Sequence, residues 1–198
     1  MTKFKDYLTE GSKYKDIDDL DHVLQMIEKD CQKYLKALKS IGNVALLFRG
    51  ITGRRIDIAA EVTPRKDRMP LDLSKKLHYA LNRAFKKSFG WEGRSGVFAM
   101  STGNWSEHDL LFFPVGDFKF IYSPDVGDLY MAPIIRDLKI RGTSFEDDVE
   151  KWISDQKYTD KNLGAAILSG HEIMFKVKKY YVINENHVVK VINWIKGR

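Results

Sequence analysis

The order of elements along the chain predicts an α+β fold with a largely antiparallel sheet. Residues 17–39 and 72–89 place their apolar side chains on one helical face. From Ser95 onward, short apolar segments are separated by Gly, Pro and Asp, as strands and turns are. The two textures are segregated instead of alternating, which argues against a doubly wound parallel sheet.

Residues 17–39 give the clearest helix. Ile17, Leu20, Val23, Leu24, Ile27, Cys31, Tyr34, Leu35 and Leu38 share a face, Asp16 or Asp18 can cap the start, and Gly42 can end it. Asn43–Ile51 reads as a strand, and residues 52–70 as irregular and basic. In the second helix Leu73, Leu77, Leu81, Ala84 and Phe85 face inward and Gly90 closes it. Strands are expected at Gly96–Ser101, Leu110–Val115 and Phe118–Tyr122, the last two joined as a hairpin through Gly116-Asp117. Ser144 and Asp147 have capping-box spacing at the start of a helix over Phe145–Asp155, and a shorter helix follows near Asp160–Leu168. Glu172–Ile183 reads as one long strand, Asn184-Glu185-Asn186 as a turn, and His187–Ile195 as a last strand. The division expected is a polar leader over 1–15 and one domain over 16–198. Within the leader, Phe4, Tyr7 and Leu8 have the spacing of a short amphipathic helix that Gly11 stops.

The 198 residues are enough for one domain with a sizeable core, and 43% hydrophobic with 30% charged side chains suits a globular chain. The apolar runs are too short to span a bilayer, so no membrane partner is expected. One cysteine, Cys31, excludes a disulfide framework and points to a reducing compartment. The net charge of +6 is unevenly spread. Residues 43–96 hold twelve positive and five negative side chains, and residues 171–198 hold six and two. Residues 97–170 hold seven positive against twelve negative. A basic excess of this kind favours an anionic partner: a pyrophosphate, a nucleic acid or an acidic protein. The plain alternative is a solvated basic surface.

Several chemistries lack their motifs. There is no phosphate loop ending in Lys-Ser or Lys-Thr, no GxGxxG after a strand and no G-x-S-x-G elbow. His22, His78, His108, His171 and His187 show no metal-ligand spacing, so no metal site is expected.

Three short blocks remain, each with one polar residue on an apolar, strand-like segment. They are Leu47-Phe48-Arg49-Gly50, Phe98-Ala99-Met100-Ser101-Thr102 and Gly170-His171-Glu172-Ile173-Met174-Phe175. Their order resembles that of ADP-ribosyltransferases of the arginine–serine–glutamate type, and the likeness extends over roughly residues 43–184. Arg65–Pro70, Leu77–Phe89, Arg94–Ala99 and Phe113–Tyr130 also resemble phage-encoded proteins of that general fold. The resemblance implies an ADP-ribosyltransferase-like split antiparallel sheet with N-terminal helices. It implies NAD as substrate and mono-ADP-ribosyl transfer to a protein of the bacterial host. Catalytic roles fall on Glu172, Arg49 and Ser101, and NAD-binding roles on Arg49, Gly50, Ser101 and Thr102. The leader resembles capsid-targeting peptides of large tailed phages, which implies capsid association, and the place of action implied is the host cytoplasm. Two positions depart from the family pattern. Gly170 stands where Glu or Gln usually helps select the acceptor, and Gly103 stands at the third residue of Ser-Thr-Ser. The acceptor is therefore unspecified.

These residue types suit the implied chemistry. Breaking the nicotinamide–ribose bond builds positive charge on the sugar, which a fixed carboxylate stabilises. A planar guanidinium binds phosphate oxygens two at a time, and a glycine beside it lets a ligand approach the backbone. Each residue also has a plainer reading. Arg49 can pair with Asp57 or Glu61, Ser101-Thr102 can be turn residues, and Glu172 can be a solvated edge residue. His78 reads as a partly buried structural histidine, and Trp91, Trp105, Trp152 and Trp194 read as anchors. The rival from another class is a nucleic-acid-binding or virion-structural protein. Its phosphate-binding face would be Arg54, Arg55, Arg65, Lys66, Arg68, Lys75, Lys76, Lys86 and Lys87.

Overall fold

The computed structural model describes residues 12–42, 45–51, 54–65, 74–101, 109–129, 132 and 144–197. Strand β1 (Lys13–Ile17) leads into helices α1 (Leu20–Asp30) and α2 (Gln32–Ser40), then strands β2 (Phe48–Gly50) and β3 (Ala59–Thr63). Helix α3 (Lys75–Phe89) and a 3-10 turn (Gly93–Ser95) precede strands β4 (Val97–Ala99), β5 (Asp109–Pro114) and β6 (Lys119–Tyr122). The C-terminal part holds α4 (Phe145–Asp155), α5 (Leu163–Ser169), β7 (Ile173–Lys176), β8 (Tyr180–Asn184) and α6 (Val188–Lys196). The fold is α+β. Among the described residues every paired strand is antiparallel.

The strands form two sheets, β1-β3-β8-β5-β2 and β4-β7-β6. They meet at one seam. Phe48 on the edge strand β2 exchanges both backbone hydrogen bonds with Met100, just past β4, at 2.8 and 3.0 Å. Period-two alternation gives the small sheet two apolar faces. Val97, Ala99, Phe120, Tyr122, Ile173 and Phe175 join the main core with the large sheet and α1, α2, α5 and α6. Ile121 and Met174 point the other way and pack with Leu77, Leu81 and Phe85 of α3 and Val149, Trp152 and Ile153 of α4. Phe112 of the large sheet and Phe175 of the small one touch with ring centroids 5.1 Å apart, so the sheets share a core. Gly96 is required where the chain enters β4: a Cβ there would lie 2.7 Å from the carbonyl oxygen of Phe175.

Caps set several boundaries as expected. The Ser74 hydroxyl accepts from the Leu77 N–H at 3.2 Å and starts α3, and Gly90 ends it at φ 76° in the left-handed region. The Ser144 hydroxyl accepts from the Asp147 N–H at 3.2 Å and donates to the Asp147 carboxylate at 2.7 Å, a side-chain cap at the start of α4.

Other boundaries correct the sequence reading. The long first helix is two helices broken at Cys31, and its leading residue Ile17 belongs to β1. The break has a tertiary cause: the Asp30 carbonyl accepts from the Gly116 N–H, and the Asp30 carboxylate accepts from the Tyr181 hydroxyl. Lys13 to Lys15, placed in the polar leader, are the start of β1. Residues 1–11, with the expected leader helix, lie outside the described residues. Residues 59–63, read as irregular, form β3, an interior strand between β1 and β8. Gly116 has φ 70°, yet β5 and β6 are not a hairpin, because they lie in different sheets. The expected strand over Glu172–Ile183 is likewise split between the two sheets as β7 and β8. The expected last strand His187–Ile195 is helical, with Val188, Val191, Ile192 and Ile195 on the core side. Their 3.6-residue spacing outweighs the β-branched content that suggested a strand.

Candidate functional site at the sheet seam

Arg49, Ser101 and Glu172 sit on three backbones that run side by side. β2 carries Arg49 and meets Met100, the residue before Ser101, through the seam. β4 pairs with β7 in the register Ala99↔Ile173, so Glu172 and Ser101 both flank the last paired step. Blocks separated by up to 123 positions are thus neighbours across the split between the sheets.

The side chains take different roles. Arg49 is 5% exposed, and its Nη1 donates to the Phe98 carbonyl at 3.1 Å. Its guanidinium lies 5.7 Å from the centre of the Tyr180 ring, so it bridges β2, β4 and β8. Its two expected acid partners are engaged elsewhere, Asp57 with Arg55 at 2.8 Å and Glu61 with Lys179 at 2.8 Å. Gly50 is exposed at the end of β2. The Ser101 hydroxyl donates to the Ile167 carbonyl and not to Glu172, so it ties the seam to α5. Thr102 and Gly103 lie outside the described residues.

Glu172 is held from two sides. Its N–H donates to the Gly127 carbonyl at 2.7 Å, which fixes the backbone against the loop after β6. Its carboxylate is 16% exposed and accepts from Nη1 of Arg94, 3% exposed, at 2.7 Å. A charge so deeply buried needs a partner, and this ion pair supplies it. Phe98 of β4 supports both cations: its carbonyl takes Arg49, and its ring lies 4.3 Å from the Arg94 guanidinium carbon. Nearby, burial, with the Glu172 charge adding to it, pushes the Tyr158 hydroxyl well above the usual tyrosine range. His171 places its Nδ1 2.9 Å from the Ser123 carbonyl.

A buried polar chain runs from Arg94 into α3. The Arg94 N–H donates to Asn82 Oδ1 at 2.8 Å, which fixes the amide so that Nδ2 faces His78 Nε2 at 3.0 Å and Ser95 Oγ at 2.9 Å. An amide donor at Nε2 makes that nitrogen the acceptor, so the imidazole is neutral with its proton on Nδ1. Burial, with the Arg94 charge adding to it, lowers the His78 pKa from its ordinary value, consistent with that state. Sequence reasoning named His78 only as structural and left Asn82 and Arg94 out of the site. One signal was present: His78 and Asn82, four apart, interrupt the otherwise apolar inner face of α3.

Of the seven described cations of the face expected for a nucleic acid, four pair with acids of the chain. Arg54 pairs with Asp16, Arg55 with Asp57, Lys86 with Glu92 and Lys87 with Glu150. Lys66 and Arg68 lie outside the described residues. Among the described residues no group of three His, Cys, Asp or Glu side chains could hold a metal ion. No helix among them is long and apolar enough to cross a membrane. Compared with known proteins, the chain matches no family model, no curated protein and no solved structure.

Proposed function

We propose that this chain is an ADP-ribosyltransferase-like enzyme, phage-encoded, that splits NAD and transfers ADP-ribose to a host protein. One observation supports the reading above the rest. β2, which bears Arg49, β4, which ends just before Ser101, and β7, which begins just after Glu172, lie side by side at the break between two antiparallel sheets. The three side chains keep separate partners there: Arg49 donates to the Phe98 carbonyl, Ser101 donates to the Ile167 carbonyl, and Glu172 accepts from Arg94.

In this reading Glu172 faces the ribose, and its carboxylate stabilises the positive charge that develops as the bond to nicotinamide breaks. Nicotinamide leaves with the bonding pair, and a nucleophile of the acceptor forms the new bond to the same carbon and gives up its proton. Arg94 acts as a positioning residue: it holds one carboxylate oxygen and, through Asn82, anchors the acid to α3. Arg49 offers a guanidinium to the pyrophosphate. With 5% of its surface exposed, it reaches a ligand only from the edge of the seam. Ser101 acts through the strand it ties to α5.

Incubation of the full chain with radiolabelled NAD and a bacterial lysate tests the reading. Labelled protein bands are expected, and Glu172→Gln should abolish them. Labelling that survives this substitution excludes the assignment, as does the absence of both labelling and nicotinamide release by the native chain.

A further inference from the structure

We propose that a second cleft, at the opposite end of β7 from Glu172, binds a nucleoside phosphate. Glu172, Met174 and Lys176 share one face of the extended segment, so the two ends are about 13 Å apart. The turn at Gly93–Ser95 packs between them, with Gly93 against Met174 and Phe85. Beyond that turn lies a cavity of about 630 Å³, within the range of about 300–1,000 Å³ typical of small-molecule sites.

Its walls come from segments distant in sequence. Arg65 follows β3, Lys86 lies on α3, Lys119 opens β6, and Lys176 and Lys178 stand at and beyond the end of β7. Two acids, Glu92 and Asp117, also line it, and each is already bound to a lysine: Glu92 to Lys86 at 3.3 Å and Asp117 to Lys33 at 2.8 Å. Among the described residues Lys119, Lys176 and Lys178 form no ion pair, and all three are exposed. Pro64, Trp91 and Val177 give the cavity an apolar floor.

The register makes this charge more than surface decoration. Lys119 and Lys176 are direct cross-strand partners of the β6–β7 ladder. Like charges placed opposite each other destabilise a sheet, and Lys178, two residues on, adds a third cation to the same rim. An anion with several charged oxygens relieves that repulsion. A single carboxylate would leave most of it in place, whereas a phosphate chain spans the rim. The apolar floor calls for a ligand with a flat apolar body beside its phosphates, which a nucleoside supplies. This site is independent of the reading of Glu172.

Titration of the full chain with ADP, inorganic phosphate and an eight-nucleotide single-stranded RNA tests the proposal. The readouts are affinity and the NMR signal of the Trp91 indole N–H, assigned with Trp91→Phe. ADP is expected to bind, to move the Trp91 signal, and to bind more tightly than inorganic phosphate. Lys176→Ala/Lys178→Ala should weaken ADP at least about tenfold, while Glu172→Gln and the control Lys29→Ala/Lys36→Ala leave its affinity unchanged. RNA that binds more tightly than ADP, with the same dependence on Lys176 and Lys178, identifies the source of the nucleotide as a nucleic acid strand. Equal affinities identify a free nucleotide. The proposal is overturned if inorganic phosphate matches ADP, if no probe binds at millimolar concentration, or if the Trp91 signal stays still. It is equally overturned if ADP binding follows Glu172→Gln or the control pair and not the cleft lysines.

Discussion

The two ends of β7 carry opposite charge and handle it in opposite ways. At the start, Glu172 meets a cation that is 3% exposed, and a hydrogen-bonded amide fixes that cation in turn. At the end, Lys176 faces Lys119 across the ladder, both exposed, and among the described residues no acid pairs with either. The difference follows from depth. A buried ion must be matched inside the chain or the fold does not hold it, whereas an exposed cation is hydrated and can stay unmatched until a ligand arrives. One strand therefore holds a preorganised acid at one end and an open anion site at the other.

Three effects test the first end, from the largest to the smallest. Glu172→Gln should reduce NAD-dependent labelling by about a hundredfold to a thousandfold or more, the scale of losing a central electrostatic group. Gel-based labelling with the purified variant checks it. Arg94→Met, which removes the cation of the ion pair, should destabilise the fold by about 3 kcal/mol, and Glu172→Leu by a similar amount. The double variant should recover most of that loss, because both charges are then gone, and urea denaturation of all four proteins measures the coupling. A double variant as unstable as the sum of the singles would mean that the pair does not act as a unit.

The third effect is smaller and depends on pH. Burial, with the Arg94 charge adding to it, lowers the His78 pKa below its ordinary 6.5. The folded state therefore disfavours the proton that the unfolded chain accepts. Stability from this group is fully present above about pH 6.5 and is lost as pH falls from there through the lower folded value. Thermal unfolding at about pH 7.5 and pH 5.5 should show a lower Tm in acid, and His78→Gln should flatten that slope. An unchanged slope would place the acid sensitivity elsewhere.

What was legible in the chain divides along the same line between local and tertiary causes. The caps at Ser74, Gly90 and Ser144 act within one turn, so the ends they set could be read directly. The break at Cys31 could not, because it depends on Gly116 reaching Asp30 from 86 positions away. Strand β3 was missed because Ala59 and Ala60 have weak strand preference and are held only by β1 and β8 on either side. The turn at Gly116 was visible, but no local signal says that the chain changes sheets there. Arg49, Ser101 and Glu172 were singled out by the order of their blocks, and the pairing of β2, β4 and β7 makes those blocks neighbours. Arg94 was not singled out, since its role comes from a partner 78 positions later.

The smallest effect sharpens the contrast at the basic end. If Lys119 and Lys176 repel each other in the empty cleft, removing one charge should stabilise the fold, against the usual direction for a substitution. Lys119→Thr keeps a residue suited to a strand and should raise Tm by about 1–2 °C, the scale of one cross-strand repulsion in a domain of this size. The gain should shrink as salt is added, because exposed charges are screened within about 10 Å at 0.1 M. Added ADP should stabilise the native chain more than Lys119→Thr, so the ranking of the two proteins narrows or reverses on ligand. A variant that is less stable than the native chain at low salt would show that Lys119 is bound to something within the chain, and the contrast between the two ends of β7 would be lost.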